Sequence, residues 1–97
     1  MKIDVRSVHF ELSDESRKYL ATKVERIGYA KDMIVDLLFV FTKDAKAYKS
    51  EVTANFRWGV QAHLQETTFE INPGIDLLID KLDQKITKEK QKIQEKK

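Results

Sequence analysis

Hydrophobic residues recur at helical spacing along the last quarter of the chain, residues 74–97. The apolar stripe consists of Ile75, Leu78, Ile79, Leu82, Ile86 and Ile93. Projected at about 100° per residue, lysines follow one flank of this stripe and aspartates follow the other. The lysines are Lys81, Lys85, Lys88, Lys92 and Lys96, and the aspartates are Asp76, Asp80 and Asp83. The pattern predicts one long helix that packs by its apolar face and presents a separate basic flank.

The preceding segments predict four strands. Alternating apolar and polar residues indicate strands at 2–6, 48–56 and 60–65, and a nearly continuous apolar run indicates a central strand at 34–41. Trp58 and Gly59 are typical of a tight hairpin turn between the last two strands.

Helix boundaries are also marked in the sequence. Ser13 is the expected N-cap of a first helix, whose buried stripe includes Leu20, Val24 and Ile27 and which we expect to end at Gly28. Asn72 and Pro73 are expected to be the N-cap and first residue of the last helix. The order β-α-β-β-β-α predicts an α+β fold with two layers: a four-stranded mixed sheet with both helices on one face, as in double-stranded-RNA-binding domains.

The last helix is longer than the predicted sheet. At up to 24 residues it spans about 35 Å, whereas strands of five or six residues span about 17–20 Å. We therefore expect a single domain, residues 1–97, in which residues 87–97 form a frayed helical overhang. Past Ile86, only Ile93 is expected to pack.

Charge is distributed unevenly along the chain. Residues 1–80 carry 11 Lys and Arg against 13 Asp and Glu, a net charge of −2, whereas residues 81–97 carry 7 Lys against 3 acids, a net charge of +4. Such local basicity favours contact with phosphate, although a lysine-rich end can also serve only solubility. The chain has no cysteine, no signal-peptide core and no apolar run long enough to cross a membrane.

No group of residues indicates catalysis or metal binding. His9 and His63 have no partner at motif spacing, and the aspartates of the last helix are explained by its N-terminal dipole. We therefore expect no enzymatic activity, no metal, no cofactor and no small-molecule substrate.

The basic flank is the remaining candidate site. If the two helices pack side by side, Lys23 and Arg26 of the first helix are expected to join Lys81, Lys85 and Lys88 in one patch. Such a patch would bind phosphate in a salt-dependent way and would read little sequence. Two alternatives remain open: a general RNA-binding domain, and a protein-interaction module that uses Trp58 and the open face of the sheet.

Three segments carry a resemblance to a known family. The segment Ser13–Leu20 followed by Lys23-Val24 is similar to the first helix of the ribosome hibernation promoting factors, also called ribosome-associated inhibitors or sigma-54 modulation proteins. The segment Gly74-Ile75-Asp76-Leu77 with Asp80-Lys81-Leu82 resembles their second-helix pattern, and Glu51-Val52-Thr53 resembles their third strand. The resemblance covers nearly the whole chain.

The resemblance implies a cytoplasmic protein that binds 16S ribosomal RNA in the small ribosomal subunit and sterically blocks the mRNA and tRNA sites under stress. The family's basic positions carry over onto residues of both helices, and two further lysines of the basic flank complete the expected rRNA-binding set. That set is Lys23, Arg26, Lys81, Lys85, Lys88, Lys90 and Lys92. Gln84 and Thr87 stand where the family often has arginine. The match is to the short form of the family, for which we expect a monomer off the ribosome.

Overall fold

The computed structural model describes residues 1–95 and confirms the predicted α+β class and order of elements. Lys96 and Lys97, which belong to the predicted lysine flank and overhang, lie outside the described residues. A 3-10 helix, Glu25–Ala30, follows the first helix directly. The other elements are β1 (Lys2–Val8), α1 (Asp14–Val24), β2 (Ile34–Asp44), β3 (Ala47–Phe56), β4 (Gln61–Thr68) and α2 (Ile71–Glu95).

The four strands form one mixed sheet in the order β1-β2-β3-β4. Strand β1 runs parallel to β2, so α1 is the crossover between them, and β2, β3 and β4 form an antiparallel meander. Phe39 of β2 lies opposite Val52 of β3, and both are buried beneath the helices. Because α1 and α2 cover the same face, residues from both helices join one hydrophobic core.

Helix α1 begins as predicted but ends earlier. The Ser13 hydroxyl accepts a hydrogen bond from the Ser16 backbone N–H at 3.1 Å, which satisfies one free amide at the start of the helix. The helix ends at Val24 rather than at Gly28, which lies inside the 3-10 helix. The predicted end was wrong because Ile27 and Ala30, three residues apart, are buried together by the tighter 3-10 repeat.

Gly59 is at the tip of the β3–β4 hairpin. Its φ of +86° lies in the left-handed region, where glycine has no steric penalty. The Phe56 N–H donates to the Val60 carbonyl at 2.8 Å and closes the turn. The predicted turn at Trp58 and Gly59 is therefore confirmed.

Helix α2 begins at Ile71, so the prediction that Asn72 is its N-cap was wrong. The Asn72 side chain instead accepts a hydrogen bond from the Ser16 hydroxyl at 2.9 Å and ties the start of α2 to α1. Gly74 lies close to β3 and β4, where α2 packs on the sheet. A Cβ atom at residue 74 would lie 2.8 Å from the hydroxyl oxygens of both Ser50 and Thr68.

The C-terminal half of α2 packs further than the apolar pattern predicted. The stripe residues up to Ile86 are fully buried, as expected, but Ile93 is 45% exposed and Glu89 is only 3% exposed. The expectation that only Ile93 packs past Ile86 was therefore wrong, because the β3–β4 hairpin reaches the helix at Glu89. Fraying of residues 87–95 remains a prediction.

Candidate nucleic-acid interface

The aspartate flank of α2 faces α1. The Tyr19 hydroxyl lies 2.7 and 2.8 Å from the two Asp76 carboxylate oxygens, and the Lys23 ammonium lies 3.3 Å from the same carboxylate. The hydrogen bond to Asp76 is the main cause that raises the pKa of Tyr19, and it also raises the pKa of Lys23. Asp76 therefore serves the contact between the helices.

The same contact continues one turn further along. The Arg26 guanidinium lies 2.8 Å from Asp80 and 3.7 Å from Asp83. The Tyr29 hydroxyl donates a hydrogen bond to the Asp83 carboxylate. The hydrogen bond to Asp80 raises the pKa of Arg26, and partial burial together with the bond to Asp83 raises the pKa of Tyr29. All three aspartates of the flank thus have partners on α1 or the 3-10 helix.

The lysine flank of α2 faces the opposite way, toward β4. The Lys81 ammonium lies 2.6 Å from the Glu66 carboxylate and donates to the Gln65 carbonyl at 3.2 Å. Alternation along β4 places Glu66 on the helix side of the sheet, where it is partly buried. Lys81 is therefore anchored at the edge strand.

Glu89 is an acid among the lysines of this flank. Its Oε2 atom lies 3.2 Å from the Lys92 ammonium and 3.7 Å from the Lys85 ammonium. Desolvation raises the pKa of Glu89, but Lys92, Trp58 and Lys85 together outweigh that effect and hold the pKa below its ordinary value. Sequence reasoning missed this residue. Its burial could have been predicted from spacing, because a residue three positions after Ile86 continues the buried stripe.

Lys88 and Lys90 complete the predicted set. Both are exposed, and neither takes part in an ion pair within residues 1–93, the range whose side chains are described. Lys88 belongs to the lysine flank and projects from the outer surface of α2. Lys90 is seven residues after Asp83 and therefore lies on the flank that faces α1.

The structure separates the predicted site residues into two sets. Lys23 and Arg26 lie against the aspartate flank, whereas Lys81, Lys85 and Lys92 lie on the other side of α2. The prediction that the cations of both helices form one patch with Lys81, Lys85 and Lys88 is therefore wrong. The physical reason is that Lys23 of α1 and Arg26 of the 3-10 helix attract the acidic flank of α2, whose aspartates are their counter-charges.

Net charge now distinguishes the two sides of α2. On the lysine flank, with Lys88 included, four lysines meet two carboxylates, those of Glu66 and Glu89. On the α1 side, three cations, Lys23, Arg26 and the exposed Lys90, are balanced by three aspartates. The excess of positive charge thus lies on the side of α2 that faces away from α1.

The open face of the sheet is polar along β3 and β4. His63 is exposed there, as predicted, with its ring nitrogens 3.0 Å from the Thr53 hydroxyl and 3.2 Å from Glu51. Among the side chains of residues 1–93, no three histidines, cysteines or acids are arranged to hold a metal ion. No helix in that range has the length and hydropathy to span a membrane.

Comparison with known proteins gives one family. The model of the family described as "Sigma 54 modulation protein / S30EA ribosomal protein" matches residues 3–94. A ribosome hibernation promoting factor from Azotobacter vinelandii is 26% identical over 92 residues, which cover 95% of this chain and 85% of that protein.

Two solved structures share the fold. A ribosomal subunit interface protein from Coxiella burnetii superposes with a TM-score of 0.85 at 21% identity, over 93% of this chain and 98% of that one. The N-terminal domain of Protein Y from Thermus thermophilus superposes with a TM-score of 0.77 at 20% identity, over 91% of this chain and 98% of that one.

Proposed function

The chain belongs to the Sigma 54 modulation protein / S30EA ribosomal protein family, and we propose that it binds 16S ribosomal RNA in the small ribosomal subunit. Bound there, it sterically blocks the mRNA and tRNA sites and keeps idle ribosomes out of translation in the cytoplasm during stress. The names of its relatives, a ribosome hibernation promoting factor and a ribosomal subunit interface protein, support this proposal.

The observation that carries the proposal is the lysine flank of α2. Lys81, Lys85, Lys88 and Lys92 follow about three turns of one helix, on the side where positive charge exceeds negative charge. A row of this kind matches the regular negative charge of a phosphodiester backbone. Lysines bind phosphate as point charges, which suits recognition of RNA shape more than of sequence.

Lys23 and Arg26 have a lesser role in this proposal. Both are already paired with aspartates of α2, so a phosphate would have to compete with those carboxylates. Lys90 is exposed on the same side as this pair and can contact RNA only if the RNA also covers the α1 side. We therefore assign the main phosphate contacts to the lysine flank, Lys88 included.

Inhibition by this protein requires only that it occupies the mRNA and tRNA sites. Lysine–phosphate contacts are screened by salt and individually weak, so a protein held by several of them binds firmly yet dissociates without a chemical step. A reversible plug of this kind suits ribosomes that must return to translation.

The test is reversal of charge on the lysine flank. We expect the triple variant Lys81→Glu, Lys85→Glu, Lys88→Glu to lose co-sedimentation with small ribosomal subunits at low salt, because it places three acids where phosphates would lie. The matched control Lys18→Glu, Lys31→Glu, Lys46→Glu makes the same change in net charge at exposed positions away from α2. Circular dichroism would verify that both variants fold.

Full binding by the folded lysine-flank variant would contradict the assignment of the site. Competition then tests the mechanism separately: the parent protein should be displaced by initiator tRNA together with mRNA. Simultaneous binding of all three would contradict steric blocking while leaving ribosome binding intact.

A further inference from the structure

A cavity of about 260 Å³ opens between the tip of the β3–β4 hairpin and the C-terminal half of α2. Trp58 forms one wall, and its indole is 38% exposed and rests on the Phe56 ring at a centroid distance of 5.1 Å. The other lining residues are Val60, Lys85, Glu89, Lys92 and Ile93. The cavity therefore combines a supported aromatic surface with two lysines and one acid.

Glu89 is the unusual member of this group. It is only 3% exposed, and its Oε2 atom is buried with no hydrogen-bond partner among the described residues, although two lysine ammonium groups lie within 4 Å. A buried carboxylate oxygen without a hydrogen bond costs free energy that most proteins avoid. An acid is also unfavourable on a surface that faces phosphate, so its position calls for a ligand that donates hydrogen bonds.

We propose that this cavity holds one unpaired guanine base of the bound RNA, stacked on Trp58 and hydrogen-bonded to Glu89. Guanine carries two neighbouring donors on its Watson–Crick edge, the N1–H and the 2-amino group, which match the two oxygens of an ionised carboxylate. Adenine and cytosine present a ring acceptor beside their amino group, and uracil presents carbonyls on both sides of its N–H. Stacking of a splayed base on an aromatic side chain is a common mode of RNA recognition.

The lysines of the cavity would bind the phosphate of the same nucleotide. Lys92 is 66% exposed and lies 3.2 Å from the buried oxygen of Glu89, so rotation of its flexible side chain toward a phosphate would uncover that oxygen. Glu89 would exchange the Lys92 ion pair for the two guanine donors and keep the Lys85 ammonium, 3.7 Å away, as its counter-charge. The inference rests on the proposed function, since it takes ribosomal RNA as the source of the base.

Trp58 makes the proposal directly measurable because it is the single tryptophan of the chain. We expect guanosine monophosphate to quench its fluorescence in a saturable way. Inosine monophosphate, which lacks only the 2-amino group, should bind about 10-fold more weakly, within the discrimination that a bidentate contact provides. Free N-acetyltryptophanamide, titrated in parallel, measures collisional quenching.

Variants then assign the contact. Glu89→Gln preserves shape but replaces one acceptor by a donor, so it should bind guanosine and inosine monophosphates equally. Glu25→Gln is the matched control, because it makes the same chemical change at an exposed glutamate that does not line the cavity, and it should keep the parent's preference. Equal binding of the two nucleotides by the parent protein would overturn the proposal even if Glu89→Gln failed to fold.

Ribosome binding identifies the source of the base. We expect Trp58→Ala to bind small ribosomal subunits at least about fivefold more weakly than the parent, the lower limit for loss of one stacked base. Unchanged ribosome binding by this variant would overturn the assignment to ribosomal RNA. Failure of the proposed function would be seen in a different experiment, in which the lysine-flank variant binds ribosomes as well as the parent does. The preference for guanosine over inosine monophosphate is measured without ribosomes, so it tests the cavity independently.

Discussion

Replacement of Lys88 by glutamine tests whether positive charge on the outer side of α2 contacts phosphate. Lys88 is exposed and has no ion pair among the described residues, so its removal breaks no contact between elements of the fold. Each lysine–phosphate contact releases counterions and contributes about 0.7 to 0.9 to the slope of log affinity against log salt concentration. The slope for Lys88→Gln should therefore be shallower than the parent's by that amount.

The size of the effect can be measured between about 50 and 200 mM salt. Over this fourfold range, a slope difference of about 0.8 means that the affinity of the parent falls about threefold more than that of the variant. Fluorescence anisotropy of the labelled protein, titrated with purified small subunits at several salt concentrations, would give both slopes.

Lys23→Gln is the control for this measurement. It removes the same charge, but from an ammonium group that already lies 3.3 Å from Asp76. Its slope should stay close to that of the parent. Equal slopes for the parent and Lys88→Gln would refute the assignment of phosphate contacts to the lysine flank. A decrease in slope for Lys23→Gln as large as that for Lys88→Gln would refute it as well.

Two further predictions concern stability. Ile79→Ala should lower the free energy of unfolding by about 2–5 kcal/mol, because Ile79 is fully buried. Leu77→Ala, at a position 45% exposed on the same helix, should change it by no more than about 0.5 kcal/mol. Equal midpoints of the two variants in urea denaturation would contradict the burial of this stripe. The pKa of Glu89 is lowered in the folded state, so its ionised form contributes stability above the pKa of the unfolded chain, and this contribution is lost as pH falls through the folded pKa. Glu89→Gln should therefore lose less stability than the parent on acidification, and parallel curves of unfolding free energy against pH would show that Glu89 is not the group responsible.

Most of the fold could be predicted because local patterns and long-range packing agree. Alternation along β3 identified the residues that face the helices, and the N-cap at Ser13 and the turn at Gly59 were marked by residue types with local physical roles. The misplaced boundaries at Gly28 and Asn72 have a common cause. At both positions, tertiary contacts stabilise a different backbone geometry. Near Gly28 it is the burial of Ile27 within the 3-10 helix, and at Asn72 it is the hydrogen bond from the Ser16 hydroxyl.

The candidate site was predicted less completely than the fold. The two flanks of α2 follow from its sequence, because the spacing of residues fixes their angles around the helix axis. The prediction of one patch with Lys23 failed because it considered the positive charges of α1 without the acids that face them. Glu89 was missed because its charge suggested a solvent-exposed residue, although its spacing placed it on the buried stripe.

The sequence by itself determined the order of elements, the apolar stripe of α2, the separation of its charges and the resemblance to a family. These properties depend on residue type and local period, which are present in a single chain segment. Only the tertiary structure decided that Asp76 meets α1 and Asp80 meets the 3-10 helix. It also decided that Lys81 meets Glu66 of β4 and that Trp58 lies beside Glu89. The physical reason is that the local sequence fixes the positions of side chains around a helix axis wherever the helix packs. The neighbours of each flank depend on contacts between residues far apart in the chain.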